Sequence, residues 1–377
     1  MIFVINAYNL KIAGGLNVGF NFLNQLHNYS EDKFYVFVPQ NCGYEKFERE
    51  NVIIINVPEI FQNYLLRWYI DYFWLIKKIK RIDPDVLFSM GNFAIPTKNY
   101  PQGLLFHYPH LIYKDSIKLN LRLYEKIALI FQYFTFKNRL KYVDVLFPQT
   151  KVAGDRVKKY YTYDKKTVPI PNAYTKLEES NVVFSSNSIN KNDDFKYLLV
   201  LTKYYPHKNI EILVETAKQI KANGDKVKIL ITISKEQYPN VGDLLNEIEK
   251  ANVSDVMINI GPVNIFEIPS LYRSVDGLLL PTVLESFSAT YVDAMYFEVP
   301  IFTSNLDFAQ EICGDVAFYF DPHNSNDIYS TIVNNLFDEN KIKEKIALGK
   351  IRISQFPDWT KVAFEYINQL KLLKWKK

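Results

Sequence analysis

The sequence predicts an α/β protein of two domains, each built on a mainly parallel sheet, because short apolar strands alternate with amphipathic stretches twice over along the chain. Its 377 residues exceed what one hydrophobic core usually supports. A polar stretch from Glu178 to Asp194 separates the two alternating halves and has the composition of a linker or surface excursion.

In the first half, β-branched and aromatic runs bounded by polar residues predict strands at 2–6, 34–38, 52–57, 86–89, 103–107, 145–148 and near 168–170, with helices filling most gaps. The second half opens on a strand at 197–201, continues with strands at 228–233, 256–260, 277–281 and 301–303, and ends in helical segments. The domains are therefore expected at 1–177 and 196–356, joined by a linker at 178–195 and followed by an amphipathic helix at 357–377. In open sheets of this kind ligands bind beyond the carboxyl ends of the strands, and two such domains facing each other would set those ends around a central cleft.

Composition narrows the function. A net charge of +4 is too small to imply a nucleic-acid partner. Two cysteines, Cys42 and Cys313, are too few for a disulfide framework, which points to a reducing, cytoplasmic location. The start Met1-Ile-Phe-Val-Ile-Asn6 lacks a basic leader and reads as a strand, not a secretory signal. No apolar run reaches the length of a membrane span, since 64–76 is interrupted by Arg67 and Asp71. Between Lys118 and Tyr142, six cations (Lys118, Arg122, Lys126, Lys137, Arg139 and Lys141) stand against one acid, Glu125, among residues such as Ile127, Leu129, Ile130, Phe131, Phe134 and Phe136. Two readings stay open. One is a surface resting on anionic lipid headgroups at the inner face of the membrane, supported by a second cluster at Lys77, Lys78, Lys80 and Arg81. The other is a buried helix over 127–136 whose ends carry solvated lysines.

Three places can carry chemistry. The segment from Pro281 to Met295 sets two carboxylates, Glu285 and Asp293, eight positions apart where a buried strand gives way to a helix. Ser286 or Ser288 can cap that helix, leaving Glu285 in the loop and Asp293 roughly two turns in. The free N–H groups of a helix start suit a phosphate, and a carboxylate on each side can take sugar hydroxyls. Directly after the first strand of the second domain, Lys203 and Lys208 supply the two cations that a buried diphosphate needs. Without that strand context they would read as ordinary solvated loop lysines. In Ile12-Ala-Gly14-Gly15-Leu-Asn-Val-Gly19, between the first strand and first helix, Gly14 and Gly15 allow backbone to approach a phosphate, though a simple turn explains them equally well. Neither a GxGxxG fingerprint nor a GxxxxGK[ST] loop is present, which disfavours NAD and ATP chemistry. His107 closes a predicted strand and His110 follows it; a structural histidine is the plainer alternative at either position. No Cys or Asp/Glu stands with a histidine at ligand spacing, so no metal is expected. Gly261 and Val263 follow another strand and can offer backbone groups to a base, while Asp83-Pro-Asp85 reads as a strand lead-in.

These residues resemble the retaining GT-B glycosyltransferases of family 4, whose signature is a Glu, seven residues and a second Glu. Here the frame is Glu285-Ser286-Phe287-Ser288, ending in Asp293-Ala-Met295, and Glu298-Val-Pro300 and Glu311-Ile-Cys-Gly314 through Asp321-Pro322 look like the family's next strand and helix. The resemblance implies a GT-B fold of two Rossmann-like domains, with the last helix crossing back to the first. It implies that Glu285 contacts the transferred sugar, that Asp293 accepts from the ribose hydroxyls, and that Lys203, Lys208 and the Gly14-Gly15 backbone hold the donor diphosphate. His107 would contact the donor sugar, with His110 on the acceptor side, and Asn172 would shape the crossover, where Ala173 replaces the usual glycine.

Ser286 and Ser288 stand where the family usually has glycines, and two charged positions also depart from the pattern. Asp293 is one methylene shorter than the usual Glu. Lys203 stands where Arg is usual and loses bidentate forking while keeping a point charge. The expected activity is metal-independent, retaining transfer of a sugar from a UDP- or GDP-sugar to a glycan or lipid-linked acceptor, in cell-surface polysaccharide assembly. A nucleotide-sugar epimerase of the same fold and a non-catalytic sugar-nucleotide-binding subunit are the alternatives.

Overall fold

The computed structural model describes residues 1–11, 13–59, 69–113, 119–173 and 192–373. Ile12, Arg67, Lys118, linker residues 178–191 and the last four residues of the expected terminal helix segment lie outside the described residues. The chain divides into two compact units. The first comprises Met1–Ile117, Arg122–Ala173 and Pro357–Lys377, and the second Lys118–Leu121 and Tyr174–Phe356.

In the first unit, β1 (Ile2–Asn6), β2 (Lys33–Pro39), β3 (Val52–Val57), β4 (Val86–Ser89), β5 (Gln102–Phe106), β6 (Val145–Pro148) and β7 (Lys166–Thr167) form one sheet in the order β3-β2-β1-β4-β5-β6-β7. Every pairing in it is parallel. Central strands such as β4 and β6 are buried along their whole length, which is why they read as unbroken apolar runs instead of alternating ones. β7 is shorter and earlier than the expected 168–170, yet Val168 and Ile170 still donate to Leu146 and Pro148 carbonyls at 2.9 Å. The helices of this part are α1 (Ala13–Gln25), α2 (Leu75–Ile82), α3 (Leu123–Arg139) and α4 (Lys151–Tyr161), with a π-helical turn at Ile70–Trp74 ahead of α2.

The second unit holds β8 (Lys196–Val200), β9 (Val227–Ile231), β10 (Met257–Asn259), β11 (Gly277–Leu280), β12 (Ile301–Ser304) and β13 (Ala317–Phe320), in the order β10-β9-β8-β11-β12-β13 and again all parallel. Between and after them lie α5 (Ile212–Asn223), α6 (Asn240–Lys250), α7 (Ile268–Arg273), α8 (Ala289–Tyr296), α9 (Asp307–Cys313), α10 (Ser325–Asn335) and α11 (Glu339–Ile353). β13 had no place among the strands read from apolar pattern. Its four residues sit between Gly314-Asp315 and Asp321-Pro322, within the stretch expected to end in helical segments.

The final helix, α12 (Trp359–Lys371), packs into the core of the first unit. Asp358 caps it by accepting from the Lys361 N–H at 2.8 Å. Trp359, Val362, Ala363, Tyr366, Ile367 and Leu370 recur at helical spacing and are all buried, and the Tyr366 ring meets Phe22, Phe88 and Phe147 at 5.2–5.9 Å. Each large side chain so buried contributes about 1.5–3 kcal/mol, so the segment is integral to that unit.

Two expectations about α3 need correction. Ile127, Ile130, Phe131 and Phe134 are exposed, so the helix is not buried all round; only its opposite face, with Leu129 and Phe136, enters the core. Arg139 is also not a surface cation. It is buried in a salt bridge with Asp71, which also accepts from Tyr8 Oη at 2.7 Å, because a buried guanidinium requires a charged partner.

Candidate functional site

In the second sheet the chain runs outward from β8 through β9 to β10, then returns to the other side of β8 with β11 and runs outward again through β13. The reversal makes β8 and β11 the neighbours at which open α/β sheets bind ligands. The loops leaving these two strands carry Lys203 and Lys208, and Glu285 through Ser288.

The two loops are joined by a set of hydrogen bonds that sequence reasoning did not anticipate. The His207 carbonyl accepts from the Val283 N–H at 2.9 Å and from Thr282 Oγ1 at 3.1 Å. Pro206–Lys208 form a single 3-10 turn, closed by Asn209 in the left-handed region at φ 55°. Asn209 tolerates that conformation, and its Nδ2 donates to the carbonyls of Pro281 at 3.2 Å and Pro322 at 2.7 Å. The only sequence signal for this arrangement was an Asn directly after Lys208, which is a common enough turn residue to pass unremarked.

So placed, Lys208 Nζ forms a salt bridge with the Glu285 carboxylate. Their side chains are only 17% and 10% exposed, so this is a largely desolvated pair and neither charge is left alone in an apolar setting. The structure thus brings together the strongest candidate from each loop. It does not bring Lys203 to them: that side chain is exposed and makes no salt bridge among the described residues.

Ser286, Phe287 and Ser288 are buried between Glu285 and α8, and the Phe287 ring meets Phe356 edge-on at 6.2 Å. Ser288 is the N-cap residue of α8, but its hydroxyl does not take a helix N–H as expected; it pairs with Thr290 Oγ1 at 2.7 Å. The first N–H groups of α8 are therefore not satisfied by that side chain, which leaves donors and the positive helix end beside Glu285. Asp293 lies in the second turn of α8, nearer the helix start than expected. Its carboxyl accepts no hydrogen bond among the described residues, and burial alone pushes it up to about 7. Tyr272, whose hydroxyl reaches the Thr290 carbonyl at 3.3 Å, is close enough to feel the Asp293 charge.

On the far side of β8, Gly261 follows β10 at φ 75° and its N–H donates to Asn259 Oδ1 at 3.2 Å. Val263 is half-buried two residues on, just before the Asn264-Glu267 capping box. Both belong to a loop that leaves the same edge of the sheet as Lys208 and Glu285, at β10.

The first unit has its own reversal, between β1 and β4. Gly14 and Gly15 are not in a loop; they occupy the first turn of α1, which starts at Ala13. A Cβ at Gly14 would meet nothing within 4 Å, whereas one at Gly19 would lie 2.4 Å from Tyr44 Oη, which is fixed by its 2.8 Å bond to the Leu10 carbonyl. Packing explains Gly19, then, and open space surrounds Gly14. The loops after β1, β4 and β5 are linked: Asn9 lies against Gly91, and Asn92 Oδ1 accepts the His107 N–H at 2.7 Å. Burial depresses His107 to about 4, and His110 likewise to about 4 against an opposing pull from Glu125, so both imidazoles are neutral at pH 7.

The remaining candidates are structural in placement. Asp85 Oδ2 accepts the Ile2 N–H at 2.8 Å and Asp83 accepts from Tyr100 Oη at 3.1 Å, both at strand approaches. Asn172 lies half-buried at the end of the first unit's described residues before 174. Among the described residues, no three His, Cys, Asp or Glu side chains stand together as a metal-holding group. No helix among them is long and apolar enough to cross a membrane.

Comparison with known proteins gives a consistent result. Over 296 residues, 76% of this chain and 78% of the relative, the sequence is 22% identical to the O-antigen chain mannosyltransferase RfbU of Salmonella typhimurium. In structure it is similar to sucrose-phosphate synthase from Thermosynechococcus elongatus, with a TM-score of 0.76, 13% identity and 99% of each chain covered. It is also similar to WaaG, a glycosyltransferase involved in lipopolysaccharide biosynthesis, with a TM-score of 0.70, 12% identity, and 98% of this chain and 99% of that one covered. The two parallel-sheet units match GT-B glycosyltransferases in fold. Residues 183–348, which carry Lys203, Lys208, Glu285 and Asp293, match the family model of glycosyl transferases group 1.

Proposed function

We propose that this chain is a retaining glycosyltransferase of family 4 that moves a sugar from a UDP- or GDP-sugar to a glycan or lipid-linked acceptor in cell-surface polysaccharide assembly. The observation that carries the reading is the Lys208–Glu285 pair, held at the β8/β11 reversal beside the start of α8. Without ligand the two charges neutralise each other. A diphosphate brings its own negative charge to Lys208 and the α8 N–H groups, and the sugar hydroxyls then donate to Glu285. Asp293, lacking a partner, accepts the ribose hydroxyls. The exposed Lys203, on the same loop as Lys208, supplies a second cation for the diphosphate.

In the reaction the bond from the anomeric carbon to the diphosphate oxygen breaks, and a bond to the acceptor oxygen forms on the same face. The acceptor proton passes to the departing diphosphate, so no protein base is needed. Lys208 and the helix dipole stabilise the negative charge that develops on that diphosphate, and no metal is assigned to the step. Neutral His107 is suited to hydrogen bonding with a sugar hydroxyl without competing for the proton. We place the enzyme in the cytoplasm.

The mannosyltransferase relative and the neighbour involved in lipopolysaccharide biosynthesis support transfer over the alternatives. The test is to incubate the protein with UDP- and GDP-sugars, GDP-mannose among them, with and without polyprenyl-linked glycan acceptors. Release of nucleoside diphosphate that requires acceptor, and an axial or equatorial product bond matching the donor by NMR, would support the proposal. Epimerised nucleotide sugar in the absence of acceptor would favour the epimerase reading. Transfer unchanged in Glu285→Ala and Lys208→Ala would point to a non-catalytic subunit.

A further inference from the structure

We infer that α3 of the first unit is a docking surface for an anionic lipid bilayer. Leu123, Ile127, Ile130, Phe131 and Phe134 recur at i, i+4, i+7, i+8 and i+11, which places them on one face of a single helix. All five are 42–76% exposed. The opposite face is already committed to the core through Leu129 and Phe136, so the helix is amphipathic twice over: one apolar face packs inward and a second faces water. Stability of the fold does not require the second face, and an apolar stripe of this size on a soluble surface marks an interaction site.

Charge selects the occupant. Lys126 and Lys137 lie beside the stripe on the same helix, and Lys141 follows its end. The one acid in the helix, Glu125, is turned back to accept the Arg122 N–H at 2.8 Å at the helix start, and the cations outnumber it. A cationic rim around an inserted apolar stripe fits anionic headgroups over acyl chains, with the lysine stems extending along the apolar surface to reach phosphates. A second copy of the chain fits poorly, because pairing two such stripes about a twofold axis would bring the lysine rims together. The further cations Lys77, Lys80 and Arg81 lie on α2, whose preceding turn is tied to the end of α3 by the buried Asp71–Arg139 pair. The inference stands on exposure and charge in the first unit and does not depend on the transferase reading.

Co-sedimentation of the full chain with phosphatidylcholine vesicles, with and without phosphatidylglycerol and with no nucleotide sugar present, tests it. The wild type should pellet with the anionic vesicles only. Phe131→Ser combined with Phe134→Ser should lower partitioning at least about tenfold with no loss of melting temperature, since both side chains already face water. Lys137→Ser should lower it about fivefold, an effect that salt abolishes. Equal binding to neutral vesicles, undiminished binding of the double variant, or conversion of a wild-type dimer to a monomer by that variant would each overturn the inference.

Discussion

Replacing Asp293 with Asn should stabilise the ligand-free protein at alkaline pH while weakening its hold on nucleotide. The Asp293 carboxyl is pushed from the ordinary 3.8 to about 7 by burial, with no cation or hydrogen-bond donor among the described residues to offset it. The native state therefore keeps this proton over a range in which the unfolded chain has released it. The stability it provides is fully present below about pH 4 and is lost as pH rises through about 7. A difference of about three pH units corresponds to about 4 kcal/mol, and partial exposure of the side chain lowers the realistic figure to about 2–4 kcal/mol. Asparagine carries no charge at any pH. Asp293→Asn should thus equal the wild type within about 1 kcal/mol at pH 4.5 and exceed it by about 2–4 kcal/mol at pH 8. For a unit of this size that is a rise of about 5–10 °C in melting temperature. Thermal melts of both proteins at the two pH values supply the measurement. A difference that does not change with pH, or a variant less stable at pH 8, would refute the reasoning.

Other outcomes follow from the same geometry. Lys208→Ala should reduce transfer by about a hundredfold or more through lost charge stabilisation, and should also destabilise the second unit because it strands the buried Glu285 carboxylate; kinetics and denaturant melts read the two effects separately. Asn209→Ala should cost about 2–3 kcal/mol, from two lost hydrogen bonds and a left-handed backbone that alanine resists, and should raise KM for the donor by displacing Lys208. Gly19→Ala should destabilise the first unit by about 1–3 kcal/mol, because its Cβ would collide with Tyr44 Oη; an unchanged melt would show that Tyr44 can move aside. Activity should show no titration near 6.5 attributable to His107, since that imidazole remains neutral down to about pH 4; a pH profile of His107→Gln running parallel to the wild type checks this.

Much of the fold was legible because parallel strands buried on both faces are unbroken apolar runs. β1, β4 and β6 fall where such runs predicted them. β13 did not, since Ala317–Phe320 falls within the stretch expected to end in helical segments. In the site, the charged residues were legible from their position after strands, but what places them was not. The Asn209 bridge to Pro281 and Pro322 and the Thr282–His207 bond join loops more than 70 residues apart, a proximity created by sheet order and not by any local pattern. Two local readings also failed. Arg139 looked like a member of a basic surface until the fold supplied Asp71 from a distant turn. Gly14 and Gly15 suggested a loop, yet α1 begins at Ala13 and includes both. The amphipathic character of α3 was visible in its composition, but which of its faces met the core required the tertiary structure.

The proposed role of Lys208 and Glu285 is to bind and activate a nucleoside diphosphate sugar for transfer. Its most direct test is acceptor-dependent release of UDP or GDP by the wild type and by Glu285→Gln, in parallel with donor-induced thermal stabilisation of each. The wild type should be stabilised by at least one UDP- or GDP-sugar and transfer from it, whereas Glu285→Gln should bind nucleoside diphosphate comparably yet transfer at least about a hundredfold more slowly. Wild-type rates in Glu285→Gln, or no stabilisation of the wild type by any UDP- or GDP-sugar, would contradict it.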